Sequence, residues 1–385
     1  MKPLSIYIHI PFCIQKCSYC DFLSAPADVR VQEEYLRSLQ EEIHGSAGQY
    51  SDHEVRTIYI GGGTPSVVNQ ERLCGIVEGL RELFLIAPDA EISMEVNPGT
   101  VKEEALHRYQ KAGINRLSIG LQSANDNELK LLGRIHDHNA FLQTYFLALQ
   151  AGFTNINVDL MWGLPGQHLV DYERTLRQVL SLKPLPAHIS AYGLIIEEGT
   201  PFYARYGKEA EDMARTGKVA SELPSEEEER EMDALTEQML AEAGYHRYEI
   251  SNYSLPGREC RHNKVYWQRG EYVGFGLGAA SLLSEVRRKN VTELTDYLES
   301  QEKTESIKKL SKEEQMEEFL FLGLRLTEGV DPEAFFHHFD MSLEEVYGTV
   351  IKKNEKDGLL RMGERLALTK KGRDVSNYVM AQFLL

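Results

Sequence analysis

Closely spaced cysteines are the feature that most constrains this chain. Cys13, Cys17 and Cys20 lie within the segment PFCIQKCSYCDF, and the position where a further cysteine would be convenient is Phe22. Such short loops allow three thiolates to meet on one iron–sulfur cluster. A [4Fe-4S] cluster held by three cysteines leaves one iron open to a small molecule, as an unfilled coordination position does in other metal sites. The spacing therefore predicts a cluster with an open iron.

A disulfide and a zinc site are the other uses of close cysteines. The chain has five cysteines, and we find no secretory signal in it. This usage is typical of a reducing compartment, so we disfavour a disulfide and expect a cytoplasmic protein. Zinc stays open as the second interpretation, although a tetrahedral site would need a fourth ligand. We interpret Cys74 and Cys260 as packed thiols, with a ligand role for Cys260 left open because His262 is near.

The overall charge and hydropathy limit the partners. The formal net charge of −17 disfavours a broad nucleic-acid interface, because such interfaces neutralise phosphates with cations. The sequence contains no apolar run of the roughly 18 residues that a membrane span needs. We therefore expect no nucleic-acid partner and no membrane span.

Short β-rich runs alternate with helical patterns along the chain, which predicts a parallel α/β sheet. Distinctive residues follow the predicted strands, and in (β/α) barrels the carboxyl ends of the strands build the active site. A (β/α) wheel with its site at one mouth is therefore expected. The predicted strands are 6–10, 57–61, 91–96, 116–121, 155–161 and 188–194, and the predicted helices are 31–44, 69–84, 102–112, 138–151 and 169–182.

The segments after the strands suggest a polar ligand. The glycines of GGGTP (61–65) can present backbone N–H groups without a Cβ in the way, which suits an anionic or polar group. A glycine triplet is also common in an ordinary tight turn. Glu95, Gln122, Arg134 and Asp159 combine carboxylate, amide and guanidinium groups that suit a zwitterionic, ribose-bearing ligand. The alternative for each of these side chains is a surface hydrogen bond or ion pair.

The order Cx3CxxC, GGGTP, MEVNP, SIGLQS and DLMWGLPGQ resembles the radical S-adenosylmethionine superfamily. More narrowly, it resembles the oxygen-independent coproporphyrinogen III oxidases and their heme-chaperone relatives. The resemblance implies a partial (β/α)6 TIM-like barrel, with a [4Fe-4S] cluster on Cys13, Cys17 and Cys20 and S-adenosyl-L-methionine on the fourth iron. It implies that this cofactor is lined by Tyr7, Tyr19, Gly62, Gly63, Thr64, Glu95, Gln122, Arg134, Asp159 and Gly193.

Two departures from the oxidases favour the chaperone branch. The oxidase motif resembles CxxxCxxCxC, and its last cysteine is replaced here by Phe22. The oxidases also carry an N-terminal extension, whereas few residues precede SIYIHI in this chain. In addition, RHNKVYW resembles the HNxxYW motif that is associated with heme binding in the chaperones. This resemblance implies that His262 is an axial heme ligand and that Tyr266 and Trp267 offer flat apolar surface to the macrocycle.

The remaining segments suggest an accessory unit. We interpret 201–230 as a charged, solvated excursion that leads into a helix at 227–243. From about residue 311, three helices, a hairpin (LLRMGERLALT) and a last helix resemble a winged-helix module, which gives a C-terminal α+β domain. The expected domains are a core barrel at 1–235, a barrel extension with the HNKVYW motif at 236–305, and the C-terminal domain at 306–385.

The resemblance therefore implies a heme chaperone that passes heme to an acceptor hemoprotein, with a respiratory enzyme as one candidate acceptor. Whether the chain is also an enzyme stays open. The first alternative is an oxygen-independent coproporphyrinogen III oxidase, and the second is a radical S-adenosylmethionine enzyme that modifies RNA. The net charge disfavours the second alternative. A homodimer is left open.

Overall fold

Parallel strands form the centre of one twelve-stranded sheet in the computed structural model, which describes residues 1–217 and 222–385. Its strand order is β12-β11-β10-β9-β1-β2-β3-β4-β5-β6-β8-β7, and the run from β9 to β6 is parallel. The strands of the sheet are β1 Lys2–Ile10, β2 His53–Gly62, β3 Ile86–Val96, β4 Arg116–Gln122, β5 Asn155–Trp162, β6 His188–Gly193, β7 His246–Arg247, β8 Asn252–Ser254, β9 Tyr272–Phe275, β10 Ala280–Leu283, β11 Val286–Asn290 and β12 Thr304–Lys309.

Helices follow the parallel strands, as the alternation predicts, and the partial (β/α) barrel is confirmed. Each of the strands predicted from the sequence is present, with ends that differ by a few residues. The helices up to β12 are α1 Val29–Ser46, α2 Gln70–Leu83, α3 Glu103–Ala112, α4 Asp126–Leu131, α5 His138–Gln150, α6 Leu169–Leu180, α7 Pro201–Thr216, α8 Glu226–Glu242, α9 Arg261–Trp267 and α10 Leu294–Glu299.

Strand β4 shows how the sequence builds this barrel. All its residues are buried, and Leu117, Ile119 and Leu121 belong to the main hydrophobic cluster. The intervening residues Arg116, Ser118, Gly120 and Gln122 line a cavity instead. Successive side chains of a strand point to opposite faces, so one face packs against the helices while the other faces the barrel interior.

The interpretation of 201–230 as a solvated excursion is wrong for α7. Thr200 caps this helix by accepting a hydrogen bond from the Tyr203 N–H at 3.1 Å, and Pro201 occupies its first turn. Phe202 and Tyr206, one helical turn apart, are buried against Leu132, Met161, Leu164 and Leu223. Part of the same stretch, residues 218–221, lies outside the described residues. The predicted helix at 227–243 is confirmed as α8.

The C-terminal residues form a second unit with its own hydrophobic core. Its members include Leu320, Phe335, Tyr347 and Phe383. The predicted order of helices, hairpin and helix is confirmed, although the last helix is divided in two. The elements are α11 Lys312–Gly323, α12 Pro332–Phe339, α13 Leu343–Lys356, β13 Leu360–Met362, β14 Leu366–Leu368, α14 Lys370–Asp374 and α15 Ser376–Ala381. Within the described residues, none of the helices has the length and apolar character that crossing a membrane requires.

Candidate functional site

A cavity of about 400 Å³ opens at the carboxyl ends of the parallel strands. The loop after β1 and the ends of β2, β3, β4, β5 and β6 all contribute to its walls. The predicted site residues that line it are Cys13, Cys17, Cys20, Tyr19, Gly62, Gly63, Thr64, Glu95, Gln122, Arg134, Asp159 and Gly193. Residues that are distant in sequence therefore meet in one place.

Backbone hydrogen bonds fix the cysteine loop at its first cysteine and within its last turn. Cys13 N–H donates to the Ala25 carbonyl at 3.3 Å, and Cys20 N–H donates to the Cys17 carbonyl at 3.3 Å. The three thiols are free, and burial raises the pKa of Cys13 and Cys20. A metal that bound here would displace these protons, because the thiolate is the ligand.

The three cysteines line one side of the same cavity. In the part of the chain that the structure describes, no three His, Cys, Asp or Glu side chains stand close enough to surround one metal ion. The thiolates that hold a [4Fe-4S] cluster stand farther apart than the ligands of one metal ion, since each thiolate binds a different iron. Cys13, Cys17 and Cys20 all face the same cavity, which is the arrangement that such a cluster needs.

Arg134 joins the cysteine loop to the strand ends. Its Nη1 lies 3.6 Å from the Cys17 Sγ, while its Nη2 donates to Asn97 Oδ1 at 2.6 Å and to the Gly120 carbonyl at 2.9 Å. Arg134 therefore ties the cysteine loop to the ends of the neighbouring strands. Tyr19 lies in the same corner, 6.5 Å from Phe202 between ring centres.

The glycine turn after β2 brings backbone close to the cavity wall. Gly62 has φ +114°, and a Cβ at this position would collide with the His9 ring. A Cβ on Gly63 would approach the Phe12 carbonyl oxygen to 2.5 Å. Only glycine fits both requirements of conformation and space at position 62.

Glu95 is the central carboxylate of the cavity. Its Oε1 accepts a hydrogen bond from the Tyr59 hydroxyl at 2.9 Å, and its Oε2 accepts one from the Gly62 N–H at 3.0 Å. Burial, and next the charge of Asp159, raise the pKa of Glu95 to about 7. Burial also raises the pKa of Asp159, which accepts hydrogen bonds from Asn157 at 2.7 Å and from Ser118 at 3.1 Å. Two carboxylates in one buried cavity suit a cationic ligand.

Tyr7 is the one residue predicted for S-adenosylmethionine that does not line the cavity. It lies behind Tyr59, with the ring centres 6.4 Å apart, and its hydroxyl meets His9 Nδ1 at 2.9 Å. His9 Nε2 in turn lies 2.9 Å from the Leu23 carbonyl oxygen, in the segment after the cysteines. Tyr7 therefore supports the cavity wall.

Sequence reasoning missed several residues of the cavity wall. The signal that would have found them is strand alternation: residues two positions before a predicted site residue point to the same side of the strand. Arg116 in particular is a fully buried cation whose Nε has no hydrogen-bond partner. The missed residues include Tyr59, Arg116, Ser118, Asn157, Ser190 and Tyr192.

The residues predicted for heme do not join the others in the cavity wall. His262 is buried, with its Nδ1 2.7 Å from the Thr57 Oγ1 and its Nε2 2.9 Å from the Tyr266 hydroxyl. Trp267 lies under the Arg325 guanidinium, whose carbon is 4.3 Å from the centre of the tryptophan ring. Both imidazole nitrogens are therefore engaged inside the protein in this conformation.

Apolar side chains surround the mouth of the cavity. Phe22, Tyr192 and Ile195 line it with 63%, 38% and 66% of their surface exposed. Ile14 and Ile135 are also exposed and line a small adjoining pocket. We call these five residues the apolar rim. An exposed apolar patch of this kind is typical of a binding surface.

Comparisons with known proteins show the family of this chain. The model of the radical SAM superfamily matches residues 7–179, and the model of the HemN C-terminal domain matches residues 310–375. The chain is 37% identical to a protein of Lactococcus lactis named heme chaperone HemW, over 100% of this chain and 98% of that relative. It is 35% identical to the protein of the same name from Bacillus subtilis, over 99% of each.

The fold is also similar to a solved structure. Coproporphyrinogen III oxidase (HemN) from Escherichia coli aligns with a TM-score of 0.84 and 24% identity, over 100% of this chain and 90% of that chain. At this identity the likeness shows the fold alone: a radical SAM partial barrel followed by the C-terminal domain.

Proposed function

We propose a function for this chain from its family: it belongs to the radical SAM superfamily and, within it, to the family of proteins named heme chaperone HemW. The proposed function is to bind heme and deliver it to an acceptor hemoprotein. We propose further that Cys13, Cys17 and Cys20 hold a [4Fe-4S] cluster with S-adenosylmethionine on its open iron. The observation that carries the proposal is the full-length similarity to relatives of this name.

The cavity supports the cofactor part of the proposal. Glu95 and Asp159 provide buried negative charge for the ammonium and sulfonium groups of S-adenosylmethionine. The turn at Gly62 and Gly63 keeps the wall free of side chains. When bound, the cluster supplies an electron that can reduce the sulfonium. Arg134 holds the cysteine loop against the strand ends through Asn97 and the Gly120 carbonyl.

The apolar rim supports the heme part of the proposal. A macrocycle is flat and apolar, and Phe22, Tyr192 and Ile195 present exposed apolar surface at the mouth. Phe22 also stands where the oxidases resembled by this chain have a further cysteine. His262 remains the proposed heme ligand, and its burial means that the segment RHNKVYW would have to open before the ring could reach the iron.

The test of the proposed function separates transfer from catalysis. Protein with a reconstituted cluster is loaded with heme, repurified and mixed with an apo-hemoprotein, and heme movement is followed by the Soret band and by size-exclusion separation. We expect transfer to the acceptor. In a parallel anaerobic assay with S-adenosylmethionine, a reductant and coproporphyrinogen III, we expect no protoporphyrinogen IX. Turnover in the second assay without transfer in the first would contradict the proposal and favour the oxidase.

A further inference from the structure

Helix α9 closes the end of the cavity opposite the cysteine loop. Its first N–H groups, those of Arg261 and His262, donate to the two carboxylate oxygens of Glu91 at 3.2 Å each. Glu91 precedes Glu95 on β3, so it lies nearer the amino end of the strand, away from the cysteines. Asn263, the next residue of the helix, lines the cavity. The segment RHNKVYW therefore supplies part of the cavity floor.

His262 is fixed on both sides by hydroxyl groups. The Thr57 hydroxyl donates to Ser5 Oγ at 2.7 Å, so its oxygen accepts from His262 Nδ1. The Nε2 of the neutral ring then accepts from the Tyr266 hydroxyl. Burial, together with the charge of Arg116, lowers the pKa of His262 to about 3, so the ring stays neutral.

The imidazole ring connects this floor to the central carboxylate. His262 is stacked on Tyr59, with ring centres 5.2 Å apart and an interplanar angle of 27°. Tyr59 donates to Glu95 Oε1, and the other oxygen of the same carboxylate binds the Gly62 N–H. Because Tyr59 is buried between the His262 and Tyr7 rings, its hydroxyl direction depends on both neighbours.

We propose that α9 forms the floor of the S-adenosylmethionine cavity, with Asn263 facing the ligand and His262 acting as a positioning residue that holds Tyr59 against Glu95. The inference rests on the proposed function only where that function places S-adenosylmethionine in this cavity, and it does not require heme.

The test measures the affinity of the cluster-containing protein for S-adenosylmethionine by anaerobic titration calorimetry. His262→Ala and Tyr59→Phe are each expected to weaken binding by roughly tenfold. The double variant is expected to be no weaker than the worse single variant, because both changes remove the same contact to Glu95. Additive losses, or unchanged affinity in His262→Ala, would overturn the inference. If wild-type protein does not bind S-adenosylmethionine, the proposed function itself fails.

The pH dependence of S-adenosylmethionine binding distinguishes a positioning role of His262 from a simple loss of packing in the variant. Glu95 is faced by Asp159, Arg116, Tyr7 and Tyr59, and the Tyr59 hydrogen bond lowers the pKa of its carboxyl group. Loss of this bond should move the pH dependence of binding to higher pH in both single variants. A His262→Ala profile that stays at the wild-type position would contradict the positioning role.

Two further variants show whether a loss of affinity comes from misfolding. His53→Ala removes another buried histidine, which lies at the amino end of β2 and therefore away from the cavity. This variant is expected to leave the affinity for S-adenosylmethionine unchanged. Tyr266→Phe keeps the ring volume but removes the hydrogen bond to His262 Nε2, and is expected to shift the pH profile in the same direction as His262→Ala. Equal effects of His53→Ala and His262→Ala would also overturn the inference. Heme binding of all variants is measured separately by the Soret band.

Discussion

At the scale of single residues, the protonation state of Glu95 decides how strongly the cavity attracts a cationic ligand. Burial and the neighbouring Asp159 raise its pKa to about 7, while Tyr59, Gly62 and Arg116 act in the opposite direction. A protonated carboxyl group loses its attraction for a cationic ligand, so binding below this pKa must expel a proton.

We therefore predict that affinity for S-adenosylmethionine rises as the pH rises toward about 7 and levels off above it. Binding by cluster-containing protein is measured across this range by titration calorimetry. Glu95→Gln keeps the size of the side chain, and is expected to bind more weakly and to lose this pH dependence. A wild-type affinity that does not change with pH would contradict the assignment of Glu95.

The sequence predicts which side chains belong to the site better than it predicts their burial and their hydrogen-bond partners. Glu95, Gln122 and Asp159 stand near strand ends within distinctive segments, and the sequence alone was enough to group them. The burial of His262 was not predictable, because it depends on Thr57 of a strand far away in the chain. A motif resemblance shows which atoms are present, whereas their hydrogen-bond partners depend on tertiary packing.

At the scale of elements, the turn after β2 is the least tolerant part of the cavity wall. Gly62 has a positive φ and leaves no space for a Cβ beside His9. A side chain there combines backbone strain with a collision inside a packed region.

Gly62→Ala is expected to lower the free energy of unfolding by about 1–3 kcal/mol and to weaken S-adenosylmethionine binding. Chemical denaturation of the apoprotein measures the first effect. Gly79→Ala is the matched control, since this glycine lies in α2 with no atom near its missing Cβ. The control is expected to be neutral or to gain up to about 1 kcal/mol. Equal destabilisation by the two substitutions would contradict this account of the turn.

Alternation of strands and helices made the parallel core predictable. Buried strands such as β4 carry apolar side chains at every second position, which is a strong local signal. The antiparallel strands β10, β11 and β12 give a weak signal, because β12 is mostly exposed and rich in charged residues. Helix α7 was misread because only Phe202 and Tyr206 mark its buried face within a charged segment.

At the scale of the whole molecule, α9 connects the barrel to the C-terminal unit. Trp267 contacts Arg325, which also lies 3.5 Å from the buried carboxylate of Glu249. A further ion pair joins Arg373 of the C-terminal unit to Glu237 of α8 at 3.1 Å. The sequence predicted a core barrel, a barrel extension and a C-terminal domain, but contacts such as these depend on how the parts pack, which no local pattern encodes.

The proposed binding of S-adenosylmethionine requires an iron atom of the cluster that no protein side chain ligates. The most direct test is Mössbauer spectroscopy of anaerobically reconstituted, iron-57-labelled protein with and without S-adenosylmethionine, together with iron and sulfide analysis. Cys17→Ala is expected to lose the cluster, whereas Cys74→Ala, a buried thiol of α2, is expected to keep it. We predict about four iron and four sulfide per chain and a change at one iron on addition of the ligand. Bound zinc, or a spectrum that the ligand leaves unchanged, would contradict the account.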